Sequence, residues 1–513
     1  MKLRKRMLAM LLATTMVAGL AGCGAKDTAD KPAADDAATD DAATDDVDAA
    51  DGDLYGEHVT LTYCFPDAMG VDGYAGWDNI VAAVNEITEE KINATINFEV
   101  LPLAEYTDKM NMKFFSGEEF DVCFTGAWNP LATAVGQGAY AELTQETLET
   151  YAPELLQVLN PVAWDATTFD GKIYAAPLQQ IYVRRAGIRF NVEKAKEHGF
   201  DYASVEKLED VESYLEQLKA AGETKIFFAD ATTLTGQLGG AMGFDALVSS
   251  DIPGVVRYRE ENPTVVNQYA TEEFAEYAKL IKKWNDAGYI HAEAALGTTK
   301  PEEFAVDINP AYKPGGDATE SITRGWETVS VPFGDAVLTT SAITATNLAV
   351  GATSKNVERA VAFINLLNTD ADLLNLLCHG IEGVDYEFVD KDNKVIQAIE
   401  GTYPTNYSFL IGNVFNDYYT DPTQVGTWEE TAEINGSADG STILGFTFNA
   451  EPVSTEIAAM QAVIDEQLPV IGSGEVEDVD AAIQKLNDSL EAAGLSTVLA
   501  EMQNQLDAWE ATK

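Results

Sequence analysis

The chain has 513 residues, 84 acidic against 32 basic side chains and a formal net charge of −52. A body this acidic is excluded as a partner of nucleic acid or of anionic lipid, both of which would repel it. Its 4 His residues (His58, His198, His291 and His379) stand isolated without ligand spacing, so no zinc site is expected.

Lys2, Arg4, Lys5 and Arg6 precede an apolar run from Met7 to Leu20. That run is too short to span a bilayer as a mature helix and has the form of a signal peptide over 1–22. It ends in Leu20-Ala21-Gly22-Cys23, which resembles the bacterial lipobox. The resemblance implies that Cys23 is diacylated and becomes the mature N-terminus, two acyl chains being enough for stable anchoring. Loss of the four positive charges before Met7 would take the net charge from −52 to −56. Residues 23–53 are built mainly from Asp, Ala and Thr, with Asp-Asp pairs at 35–36, 40–41 and 45–46. Self-repulsion and the lack of large apolar side chains predict an extended acidic tether. Cys64, Cys123 and Cys378 remain, an odd set for an exported chain, so no disulfide framework is expected. Cys64 and Cys123 could meet only if their strands are neighbours.

From Glu57 a βαβαβ pattern is legible. Val59, Leu61, Tyr63 and Phe65 alternate; Trp77, Ile80, Val81, Val84 and Ile87 follow helical spacing; Ile96, Phe98 and Val100 alternate again. A second amphipathic segment over 103–115 leads to a third strand at 120–125. Such a unit predicts a parallel sheet with ligands collecting at the carboxyl ends of its strands, here Phe65-Pro66-Asp67 and Thr125-Gly126-Ala127-Trp128-Asn129. Over Gly171–Asn191, an extended run broken by Pro177 suits a crossover between two lobes, and read alone it fits two ordinary strands of one sheet equally well. Alternation resumes beyond it. Ser204 is a candidate cap for a helix carrying Leu208 to Leu218, residues 225–229 predict a strand, and Thr271 opens a helix that stops at Gly288. The Gly- and Thr-rich stretch Thr232–Gly243 reads as loop and lacks the Lys-Ser/Thr of a phosphate loop. A hairpin is predicted over 386–397, and two amphipathic helices over 480–493 and 496–509 are split by Gly494.

One segment is more specific. The strand-like Asp335 to Thr346 is followed by Thr353-Ser354-Lys355-Asn356-Val357-Glu358 and a helix ending Leu366-Leu367-Asn368-Thr369-Asp370. It resembles the extracellular solute-binding proteins of bacterial ABC importers, family 1, with Val357 where Pro is common but dispensable. Ser116-Gly117-Glu118-Glu119-Phe120-Asp121 and Gly187-Ile188-Arg189-Phe190-Asn191 extend the likeness. The C-terminal third resembles the closing domain of LipO-like lipoproteins, through Gly380-Ile381-Glu382-Gly383, Ile411-Gly412-Asn413, Leu444-Gly445-Phe446-Thr447-Phe448 and Glu501 to Trp509.

The resemblance implies a two-lobed α/β fold of the periplasmic-binding-protein type II, with a ligand cleft between lobes joined by a hinge. We expect a first lobe from 54–176 plus 330–380 and a second from 177–329 plus 381–513. It implies further a monomeric, membrane-anchored, extracytoplasmic protein that hands a solute, by analogy a carbohydrate, to a permease with a separate ATPase. No cofactor and no catalysis are expected. Aromatic rings stack on sugar faces while carboxylates and amides take hydroxyls, which singles out Tyr63, Asp67, Trp128, Asn129, Tyr182, Trp326 and Trp428. An oligopeptide binder would instead use Arg184, Arg185 or Arg324 to meet a carboxylate. A secreted glycoside hydrolase is the remaining alternative; acidic residues are too abundant here to identify a catalytic pair, and no nucleophile elbow or His-Glu-x-x-His occurs.

Overall fold

The computed structural model describes residues 54–127, 131–292 and 294–512. The signal, Cys23 and the tether lie outside the described residues, as do Trp128 and Asn129. The compact body begins at Tyr55.

Two sheets organise it. In the first, the strand order is Ala94–Pro102, Val59–Asp67, Val122–Thr125, Asn347–Val350 and Ala176–Pro177. The first three run parallel, as the βαβαβ reading requires, and Asn347–Val350 returns antiparallel to Val122–Thr125. Helix Trp77–Ile92 presents Trp77, Ile80, Val84 and Ile92 to this core and ends at Asn93, whose φ of 48° lies in the left-handed region that Asn tolerates. Helix Val357–Thr369 begins at Val357 without a Pro and packs Phe363 against Tyr63. Cys64 and Cys123 stand directly opposite in register, both as free thiols, and burial pushes the Cys64 thiol up to about 12.

In the second sheet the order is Val306–Asn309, Val183–Asn191, Thr328–Leu338 and Asp439–Gly440. Thr271 caps helix Glu272–Ala287 by accepting from the Phe274 amide, and Gly288 closes it at φ 72°. The terminal helices Val479–Ala492 and Leu495–Glu510 turn at Gly494 and bury Val498, Met502 and Leu506 in this second core. Three local expectations fail: Thr232–Gly243, read as loop, winds into helical turns at Thr233–Gln237 and Gly240–Met242. Ser204 caps no long helix, because the chain first makes a 3-10 turn at Leu208–Val211 before Glu212–Ala220. The strand at 225–229 shrinks to single bridges at Phe227, squeezed between Ile290 and Val306.

The lobe boundaries also differ from the sequence reading. Thr328–Leu338 pairs along its length with Val183–Asn191, so residues 330–338 belong to the second lobe. Residues 381–411 go to the first: Ile381, Tyr403, Leu410 and Ile411 pack in its core, and Tyr74 donates to Asp385 at 2.5 Å. The lobes are joined three times. Leu178–Tyr182 links Ala176–Pro177 to Val183–Asn191, Thr339–Thr346 links Leu338 to Asn347, and helix Thr427–Ser437 leads from Tyr419 to Asp439. Pro177 sits on the edge strand, where its missing amide costs no ladder bond. Tyr182, Val183, Leu338 and Ile343 form a small core of their own where the crossovers meet. Asn435 fastens the third crossover to the first, accepting from the Tyr182 amide at 2.8 Å and donating to the Gln180 carbonyl at 2.6 Å. Among the described residues no single helix is long and apolar enough to cross a membrane.

Candidate functional site

Strand direction fixes where a ligand can sit. In the first lobe the carboxyl end of Val59–Asp67 carries a loop shaped by Asp67, whose Oδ1 accepts from the amides of Met69, Gly70 and Val71. Asn406 donates to the Pro66 carbonyl at 3.4 Å and brings Tyr407 and Phe409 to that rim. Their rings stack at 5.2 Å between centroids, and Tyr407 is 48% exposed. In the second lobe, Val306–Asn309 runs toward the hinge, opposite to Val183–Asn191, and continues into Pro310-Ala311-Tyr312. The Tyr312 amide donates to the Arg185 carbonyl, which holds that loop beside the crossovers.

Two cavities flank this end of the second sheet. One, of about 280 Å³, lies between the first crossover, the third crossover helix and the Tyr312 loop; Ile181, Arg185, Tyr312 and Ser437 line it. The Arg185 Nε donates to the Gly334 carbonyl at 3.0 Å, fixing the stem of the guanidinium in the wall. The other, of about 370 Å³, is enclosed by the turn Thr233–Gln237, the hairpin Phe244–Ala246 with Val255–Arg257, and Thr339 and Ser341 of the second crossover. Asp245 lines it, and burial pushes its carboxyl up to about 6. Hydroxyls, one amide, a carboxylate and aromatic faces together suit a polar, ring-shaped ligand better than a purely apolar one.

The sequence-derived residues fall elsewhere. Tyr63 is wholly buried among Phe65, Phe98 and Phe363, because helix Val357–Thr369 covers that face of the sheet. Asp67 is consumed in shaping its loop. Tyr182 is buried in the hinge core and donates to the Leu178 carbonyl at 3.0 Å. Trp326 precedes Thr328, which pairs with Asn191, whereas the hinge end of the same strand is Leu338 opposite Val183. At 3.3 Å per residue it stands about 30 Å from the crossovers, against Arg324. Trp428 stacks on Tyr419 at the start of the third crossover helix. Of the arginines considered for a peptide carboxylate, Arg324 is committed to Asp307 at 2.7 Å and Arg185 lines a cavity, while the side chain of Arg184 lies outside the described residues. Tyr312, Tyr407 and Asp245 were missed. Tyr312 did carry a signal, an aromatic between Pro310 and Pro314 just after a strand.

Comparison with known proteins agrees with this geometry. The model of the bacterial extracellular solute-binding protein family matches residues 82–377, and a domain of unknown function (DUF3502) matches 442–511. A carbohydrate ABC transporter substrate-binding protein of Streptococcus pneumoniae serotype 4 (strain ATCC BAA-334 / TIGR4) is 29% identical over 442 residues, 84% of this chain and 87% of the relative. The crystal structure of the N-glycan transport solute binding protein of Streptococcus pneumoniae superposes with a TM-score of 0.77 at 27% identity, covering 88% of this chain and 99% of that one. The same protein in complex with Man5GlcNAc gives 0.65 at 26% identity, with 89% and 99% coverage. With two hinged lobes, a cleft-side pair of cavities and a family match over more than half its length, the chain belongs to the bacterial extracellular solute-binding proteins.

Proposed function

We propose that this chain is a lipid-anchored extracytoplasmic receptor that captures a neutral oligosaccharide between its lobes and delivers it to an ABC permease driven by a separate ATPase. The observation that carries the reading is the likeness to an N-glycan transport solute binding protein, which covers 88% of this chain and 99% of that one. The lipobox at Leu20 to Cys23 supports the anchor. A ligand drives closure only through contacts it makes with both lobes, and moving an open-to-closed ratio from 1:99 to 99:1 requires about 5.5 kcal/mol of differential affinity. Hydrogen bonds in the second-lobe cavities and ring stacking on the first-lobe rim together reach that scale.

A thermal-shift panel of neutral glycans, acidic glycans and peptides tests the ligand class, since a ligand that binds only the folded state raises the melting temperature. Neutral glycans should shift it and peptides should not. Small-angle scattering at saturating glycan should then give a smaller radius of gyration than the free protein; an unchanged radius would remove lobe closure from the account.

Tyr407 offers a sharper test. Its ring is half exposed and backed by Phe409, so truncation removes a stacking surface and little core. Tyr407→Ala should weaken glycan binding about thirtyfold or more, the scale of an aromatic hot spot, about 2 kcal/mol, with the melting temperature nearly unchanged. Calorimetric titration with unchanged affinity would take the rim out of the site.

A further inference from the structure

We propose that the second-lobe cavity is a subsite for one uncharged sugar ring, with the carboxylate of Asp245 in its wall accepting a hydrogen bond from a ring hydroxyl. The inference rests on the oligosaccharide reading and adds the wall that selects the ring. Asp245 is 4% exposed on strand Phe244–Ala246, and its Oδ2 is buried without a hydrogen-bond partner. The carboxyl is steadied by Ser441, whose amide donates to the Leu338 carbonyl at the hinge end of the second sheet. A buried carboxylate oxygen without a donor is costly, and native structures retain such groups where another partner supplies one. The cavity is about 370 Å³, within the range of small-ligand sites.

Its lining states what that partner is. Among the described residues that line the cavity Asp245 carries the formal charge, with no Lys, Arg or His beside it, and an acidic ring would meet that charge. Leu234, Met242 and Phe244 offer apolar surface to C–H faces, while Thr235, Thr339 and Ser341 bring hydroxyl groups. Part of the wall is bare backbone. Gly239 lines it, and a Cβ there would lie 2.4 Å from the Thr235 carbonyl oxygen, so no larger residue fits without moving that turn. Thr339 and Ser341 belong to the second crossover, so a ring seated here touches the segment that must bend when the lobes close.

Calorimetric titration of the full chain with Man5GlcNAc and Man1GlcNAc, beside Asp245→Ala and Asp245→Asn, tests the assignment. The Ala variant should lose thirtyfold or more in affinity. The Asn variant, which keeps a carbonyl acceptor, should fall between it and the wild type. Neither should melt lower at pH 7: a carboxyl raised from 3.8 to about 6 stabilises the fold when protonated and loses that contribution as pH rises through this window. If wild type binds and Asp245→Ala binds within threefold of it, the subsite is overturned while the cleft reading stands. If the wild type binds neither these nor any other neutral glycan, both are overturned.

Discussion

Asp307→Ala is expected to destabilise the second lobe by about 3–5 kcal/mol, a large share of the roughly 5–15 kcal/mol that holds an ordinary fold together. Asp307 and Arg324 have side chains only 1% exposed and pair at 2.7 Å, and Arg189 reaches the other carboxylate oxygen at 3.0 Å. Removing the shared carboxylate leaves two largely buried guanidinium groups to share Glu320, at 3.0 Å from Arg324 and 3.7 Å from Arg189, which is itself partly exposed. The cost comes from those orphaned charges more than from the worth of the original pairs. A second variant separates the two: Asp307→Leu combined with Arg324→Met should recover much of the loss, because an apolar replacement needs no counterion. Denaturant titration with amide exchange reads both effects. Protection should fall first in Val183–Asn191 and Thr328–Leu338, while the core around Phe65 and Phe363 keeps its own. A single variant within 1 kcal/mol of the wild type would mean that the guanidinium groups find solvent.

Cys23→Ala should release the protein from the membrane fraction entirely while leaving glycan affinity unchanged. Each buried methylene of an acyl chain contributes about 0.8 kcal/mol, so two chains on Cys23 would hold the protein stably where one would be marginal and reversible. In the proposed anchor all of that would depend on one sulfur atom. The acidic residues 24–53 provide no alternative attachment, since anionic headgroups repel them. Fractionation followed by calorimetry gives both readings, and a variant that stays with the membrane would show that Cys23 is not the anchor.

Periodicity made the first sheet and its helices readable, because Val59 to Phe65 alternate and Trp77, Ile80 and Val84 recur at helical spacing on elements that pack on one side. It could not say to which lobe Thr328–Leu338 belongs: its residues would suit either sheet, and pairing with Val183–Asn191 is decided by long-range register. The site was harder still. Tyr63 and Trp428 look like platforms until Phe363 and Tyr419 are seen to cover them. Asp245 was one carboxylate among 84 acidic residues, and only the enclosing turn and hairpin set it apart.

Asn435 has a consequence for how the molecule waits for its ligand. Two bodies on a single strand can twist, slide and bend independently, and each such freedom lost on capture weakens binding. Here a third connection is stitched to the first by both ends of one amide, so twisting one lobe against the other would shear the hydrogen bonds to Tyr182 and Gln180. What remains is rotation about the line through the crossovers, a door rather than a ball joint. The receptor therefore meets its ligand with the two walls already facing each other, and the capture step selects an angle instead of searching for an orientation.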